Sequence, residues 1–401
     1  MIKREHIQML TADAVELLKG MVATPSPSFS ESAVCNHICS WMTDKGLSYE
    51  RIGNNIIAEH IADPSKPTLM LCAHIDTVSP SEGYEFDPYE PDYDVAADVT
   101  GRLTGQDVGP EDIVAGLGSN DDGASVVAML AAYRYFSLWG KSSQNDPSHF
   151  VGPSPCGQGG STVLGTITPE ACINLILVLT CEEERSGKNG MTGLWPNLAT
   201  KVDYAIVGEP TGMKAATSER GLLVIDATAN GVSGHAARNE GENALYIAME
   251  DIARMRNHEF SKISPRMGKV NLNVTQINAG TAHNVIPDRC DFVVDIRPTE
   301  QYTNEEILTE LQSICRSGLK PRNLANRSSA TLDDSPLQKA VEALGIETFS
   351  SPTTSDWMRI GCDAIKMGPG ESSRSHKKNE FVFVSEISNA IETYIEFINI
   401  L

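Results

Sequence analysis

The sequence predicts an α/β fold: a larger domain with a mostly parallel central sheet flanked by helices, plus an inserted α+β domain. Three observations carry the architecture. Short, wholly apolar runs separated by helical stretches read as strands buried on both faces. After Thr211 apolar residues instead alternate with polar ones, as in half-exposed antiparallel strands. From Ser335 the first pattern resumes. A chain of 401 residues has room for two or three domains at roughly 150 residues each.

In chain order, residues 4–22 and 31–46 carry apolar positions at helical spacing. Leu69 to Ala73, Cys172 to Leu179 and Tyr204 to Val207 read as buried strands. A helix over 124–138 lies between the first two, opened by Asn120-Asp121-Asp122, residues suited to capping. Segment 82–111 is acidic and rich in Asp, Pro and Gly, and 141–170 is close to low complexity; both read as surface loops or insertions. Strands then follow at 222–229, 270–277 and 290–296, with helices at 244–256 and 304–315. An amphipathic helix over 385–400 closes the chain. The larger domain therefore spans 1–215 and 325–401, and the inserted one 216–324.

Composition removes several function classes. With 53 acidic against 32 basic side chains, the net charge of −21 argues against phosphate neutralisation and so against nucleic-acid binding. No apolar run approaches the ~20 residues a membrane span needs. The opening MIKREHIQML lacks the pattern of a signal peptide. Nine cysteines without a CxxC pair point to a reducing cytoplasm rather than a disulfide framework.

The chemistry gathers where strands end. His74 and Asp76 follow LMLCA, Glu182-Glu183-Glu184 follow INLILVLTC, and Glu209 follows YAIVG. His376 comes shortly after Gly368-Pro369-Gly370. In an open parallel sheet the carboxyl ends of the strands line one crevice. Taken singly, the triplet reads as a solvated face and Asp121-Asp122 as a helix cap. Taken together, nearly every strand end carries a ligand-type side chain. Mixed histidine and carboxylate donors suit zinc, a carboxylate can bridge two metals, and a neighbouring glutamate can act as general base.

The strings HIDTV, GLGSNDDGA, TCEEERSG, VGEPTG, SGHAA and GPGESSRSHKKNE, in that order over residues 74–380, resemble the signatures of the acetylornithine deacetylase / succinyl-diaminopimelate desuccinylase family of dinuclear zinc hydrolases. The resemblance implies a zinc-hydrolase catalytic domain with an inserted lid and dimerisation domain, and two Zn2+ per subunit, with Co2+ able to substitute. It makes His74 and Glu209 ligands of one zinc, Glu184 and His376 ligands of the other, and Asp121 the bridge. Asp76 would orient His74, and Glu183 would be the general base. Glu182 stands where the family pattern has Asp, and a shift of one within the triplet would exchange base and ligand. The resemblance further implies a homodimer in which His235 reaches the neighbouring subunit's site and polarises the scissile carbonyl. Asn284, Arg297 and Gly370 would meet the substrate.

The activity implied is removal of an N-acyl group from a small amino acid, with N-acetyl-L-ornithine in arginine biosynthesis preferred. Desuccinylation of succinyl-ornithine or succinyl-diaminopimelate, a dipeptidase or carboxypeptidase on the same scaffold, and a non-catalytic metal or amino-acid binder are the alternatives. Asp356 and Glu371 are candidate partners for a cationic δ-amine, although Asp356 also reads as a structural acid. Arg374 and Lys377 are candidate partners for a succinyl carboxylate.

Overall fold

The computed structural model describes residues 4–139, 173–238 and 240–401. Contacts divide the chain into two units, one running to Thr217 and resuming over Thr331–Phe349 and Ser355–Leu401, the other Ser218–Ala330 with Ser350–Thr354.

The first unit is built on a mixed sheet. Across it lie Glu50–Ile52, Asn55–His60, Asn174–Thr180, Thr68–His74, Tyr204–Val207, Asp363–Lys366 and Ala215–Glu219. The four strands from Asn174–Thr180 to Asp363–Lys366 run parallel. The margins are antiparallel, a departure from the mostly parallel expectation with a plain cause. Ile52 pairs with Asn55 across a two-residue turn, and so short a connection joins only antiparallel strands. Gly53 supplies the positive φ of 63° that this turn requires.

Thr68–His74 and Asn174–Thr180 are buried at every position, which is why they read as unbroken apolar runs. Alternate side chains go to opposite faces. Leu69, Leu71 and Ala73 pack with the helices Arg4–Val22, Ser32–Asp44, Ala124–Trp139 and Val384–Ile400. Met70 and Cys72 face Met191, Leu194 and Trp357. The register sets His74 beside Thr180 and Cys72 beside Val207, so the parallel strands finish along one edge.

Two expectations are corrected here. Segment 82–111 is no plain surface loop: it holds the helix Tyr93–Thr104, capped by Asp92 and ended by Gly105. Its Ala96, Ala97 and Val99 pack with Phe86, Ile113, Ala115 and Phe381. So few and such small buried residues leave little periodicity among the Asp, Pro and Gly around them. Asn120-Asp121-Asp122 is no cap either: the backbone at Asp121 and Asp122 is non-helical, and both side chains are buried. The 141–170 stretch lies outside the described residues.

The second unit is a four-stranded antiparallel sheet in the order Asn271–Ala279, Arg289–Arg297, Leu223–Asn230, Gly318–Pro321. Its inward residues Ile225, Ala227, Phe292 and Val294 pack with Ile247, Ile307 and Leu311 from the helices Ala244–Asn257 and Asn304–Ile314. Thr303 and Glu306 form a reciprocal cap that starts the second helix. Among the described residues, no helix is long and apolar enough to cross a membrane.

Candidate metal centre

His74 ends its strand fully buried. Its Nδ1 lies 2.9 Å from the backbone oxygen of Asp76, while Nε2 lies 3.3 Å from Asp121 Oδ1. With Nδ1–H donated to that carbonyl, the Nε2 lone pair of the neutral ring faces a carboxylate oxygen. Only a proton or a metal cation relieves that opposition. Burial resists charge on the ring, but Asp121 and Asp76 outweigh it and hold its pKa well above the usual range.

Asp76 organises its neighbours from beneath. Its fully buried carboxylate accepts from Ser28 Oγ at 2.7 Å and from the backbone N–H groups of Glu183 and Glu184 at 3.0 and 3.2 Å. Burial opposes its charge, but the His74 ring and the Ser28 hydroxyl bring its pKa below the ordinary carboxylate value. One side chain thus steadies both the histidine and the glutamate turn.

That turn separates the three glutamates. Glu182, at φ 62°, faces away, with its carboxylate accepting from the backbone and side-chain nitrogens of Asn189 at 3.0 and 2.6 Å. The fully buried Glu31 accepts the Glu182 N–H at 3.2 Å. Glu183 and Glu184 turn inward. Among the described residues, His74, Asp121 and Glu184 form one group of donors within 4.8 Å of one another, and His74, Glu183 and Glu209 a second. Glu184 Oε1 is 3.0 Å from His376 Nε2, and Asp121 Oδ2 is 3.6 Å from the same nitrogen. Asp121 therefore points one oxygen at each histidine.

The electrostatics are those of a cation site. Burial drives the carboxyls of Glu183 and Glu209 well above their ordinary range, and Asp122 up to about 7. The Glu184 carboxylate raises His376 to about 9. So many inward-facing acids cannot all ionise together without a cation beside them, which a divalent ion would provide, and the donor set suits zinc. The residues fit the group.

Other sequence candidates fall differently. Gly370 has φ 78°, and the space a Cβ would take is filled by the Asn120 side chain, so its close approach is to Asn120. In the second unit His235 and Asn284 are both exposed neighbours: His235 pairs with Val285, and Ala236 N–H donates to the Asn284 carbonyl at 3.0 Å. Arg297 grips Asp295 through two hydrogen bonds of 2.8 and 3.1 Å. Asp356 is buried, accepts from Thr180 Oγ1 at 2.7 Å, and is pushed up to about 6 by burial. Glu371 and Lys377 are exposed.

Arg374 is withdrawn as a partner for a succinyl carboxylate. Its guanidinium binds both carboxylate oxygens of Glu386 at 2.6 and 3.1 Å and lies 4.5 Å from the centre of the Phe381 ring. Arg374→Ala is expected to destabilise the fold by roughly 1–2 kcal/mol, seen as a lower melting temperature. The ratio of kcat/KM between succinyl and acetyl substrates should not move.

Three residues of this region carry no site role from sequence. Asp122 Oδ2 accepts the His74 N–H at 3.3 Å. Glu31 holds the start of the glutamate turn. Glu380, fully buried, accepts the N–H groups of Asn120 and Asp121, each at 3.0 Å, and burial pushes its carboxyl up to about 8. Its place inside SRSHKKNE is the one signal the sequence offered.

Residues 217–323 match the model of a peptidase dimerisation domain. The chain is similar to succinyl-diaminopimelate desuccinylase of Psychromonas ingrahamii, with 26% identity over 82% of each chain. It is similar to acetylornithine deacetylase of Proteus mirabilis, with 25% identity over 92% of this chain and 91% of the relative. Among solved structures its fold matches aminopeptidase PepT of Bacillus cereus with a TM-score of 0.70 and 18% identity, covering 97% of this chain and 98% of the other.

Proposed function

We propose that this chain, which belongs to the acetylornithine deacetylase and succinyl-diaminopimelate desuccinylase family of amidohydrolases, removes the acetyl group from N-acetyl-L-ornithine or a close N-acyl amino acid. The observation that carries the reading is Asp121 standing between His74 and His376 with one oxygen toward each. His74 and Glu209 would hold one zinc ion, Glu184 and His376 the other, and Asp121 both. When bound, such a pair polarises the scissile carbonyl and acidifies the attacking water.

The remaining steps belong to the chain's own residues. Glu183 takes the proton from the water at its carboxylate and delivers it to the leaving amine nitrogen. Asp76 keeps His74 and the Glu183–Glu184 backbone in place throughout. Of the two acids considered for the δ-amine of ornithine, Asp356 is occupied by Thr180, which leaves the exposed Glu371.

A homodimer is part of the proposal. The dimerisation match covers the second unit, whose helix Ala244–Asn257 exposes Tyr246 and Met249 and whose outermost strand exposes Ile277. Exposed apolar residues beside an open strand edge are the usual material of a subunit interface.

The test is a substrate panel on zinc- or cobalt-loaded protein: N-acetylornithine, N-succinylornithine, N-acetylcitrulline, succinyl-diaminopimelate and small dipeptides. The expected order puts N-acetylornithine first, with an advantage over the succinyl compound of about tenfold in kcat/KM, equivalent to about 1.4 kcal/mol. Higher kcat/KM for succinyl-diaminopimelate, or for a neutral dipeptide, overturns the ornithine assignment. The dipeptide is the second reading, favoured by the peptidase fold match and by the amide and α-carboxylate it shares with an N-acyl amino acid.

A further inference from the structure

We propose that the segment from Ser81 to Arg102 positions His376, through a clasp between Glu85 and Asn379, and so sets the affinity of the metal site that His376 completes. The proposal rests on the metal-centre reading above and adds a residue set to it.

His376 sits at φ 58° in an irregular loop between the helical turn Ser372–Arg374 and the strand Phe381–Phe383. Four of the hydrogen bonds holding this loop come from segment 81–102. The His376 carbonyl accepts from Ser81 Oγ at 3.1 Å, and the Lys377 carbonyl from Tyr84 OH at 3.2 Å. Asn379, buried and at φ 62°, forms a reciprocal pair with Glu85. Its Oδ1 accepts the Glu85 N–H at 2.8 Å, and its Nδ2 donates to Glu85 Oε1 at 2.9 Å. The second Glu85 oxygen accepts from Arg102 at 2.9 Å, and Arg102 also reaches Asp98 at 3.2 Å on the same helix.

The clasp is anchored on folded structure. Phe86, next to Glu85, packs with Ala96, Val99 and Phe381, and Tyr84 meets its ring edge-on at 5.7 Å. On the other side, Glu380 bonds the backbone of Asn120 and Asp121. Two consecutive residues therefore tie the His376 loop in two directions, Asn379 to the 81–102 segment and Glu380 to the bridging aspartate. A ligand on an irregular loop owes its place to such supports, and losing one typically costs 10–100-fold in metal affinity.

The test equilibrates full-length protein with graded zinc buffers and counts bound metal by elemental analysis. Wild type, Glu85→Ala, Glu85→Gln, Tyr84→Phe and His376→Ala are compared, each with its melting temperature. Glu85→Ala should leave one site unchanged and weaken the other by about 10–100-fold, with kcat recovering as zinc is raised and KM steady. Glu85→Gln, which keeps the Oε1 acceptor, should recover most of the affinity. Tyr84→Phe, which keeps the ring packing, should weaken the same site less. Wild-type affinities in both Glu85→Ala and Tyr84→Phe overturn the clasp, as does an equal weakening of both sites with a lower melting temperature. Two full sites in His376→Ala defeat the metal-centre reading itself, and the clasp with it.

Discussion

Replacing Glu183 by alanine is expected to lower kcat by about 10²–10⁴-fold, the usual worth of a general base, while both metal sites stay loaded. The adjacent Glu184→Ala should instead weaken one metal site, because its carboxylate shares a donor group with His74 and Asp121 and lies 3.0 Å from His376. Elemental analysis of the two variants decides the register. Asn189 holds the Glu182 carboxylate outside the site, which supports Glu183 as the base. The Glu183 carboxylate also lies within 4.8 Å of donor atoms on His74 and Glu209, so metal content is the needed measurement. If Glu183→Ala loses a zinc and Glu184→Ala keeps two, base and ligand exchange places.

His235→Ala should cost about 10²–10³-fold in kcat, as removal of one donor to a developing oxyanion does. Activity should then return on mixing with the inactive Glu183→Ala chain. A mixed dimer has one site with an intact Glu183 of its own and an intact His235 of the partner subunit. Free exchange at equal amounts makes half the dimers mixed, giving about a quarter of wild-type activity. Within the second unit the two candidate residues stand far apart. His235 lies at the end of the sheet where Arg289 pairs with Asn230, whereas Arg297 is eight strand residues further along, roughly 26 Å at 3.3 Å each. Verified subunit exchange with no recovery of activity, or a fully active monomer, removes the trans assignment.

The sequence made the strand tips readable because each chemical residue follows directly on an apolar run, and burial on both faces of a central strand enforces such runs. His74, Glu183 and Glu209 were found that way. What stayed hidden depends on partners distant along the chain. Asn379 meets Glu85 across 294 positions, and neither residue carries a local pattern that names the other. Arg374 looked free because its tie to Glu386 depends on how the Phe381–Phe383 strand leads into the last helix. Asp122 reads in the sequence only as part of a helix cap, yet it bonds the backbone of His74.

The order of the donors along the chain bears on how the protein is made. His74 emerges from the ribosome 376 − 74 = 302 residues before His376. The strand Asp363–Lys366, which pairs with Tyr204–Val207, and the helix Val384–Ile400, whose Ile387, Ile391 and Tyr394 join the core around Arg4–Val22, come later still or nearly so. A growing chain therefore displays all of its acidic donors, Asp121, Glu184 and Glu209, long before the second histidine exists. Because metal affinity depends on a fully assembled donor set, a complete site would await the synthesis and folding of the His376 loop. A bound metal ion would then report that the last donor has folded into place.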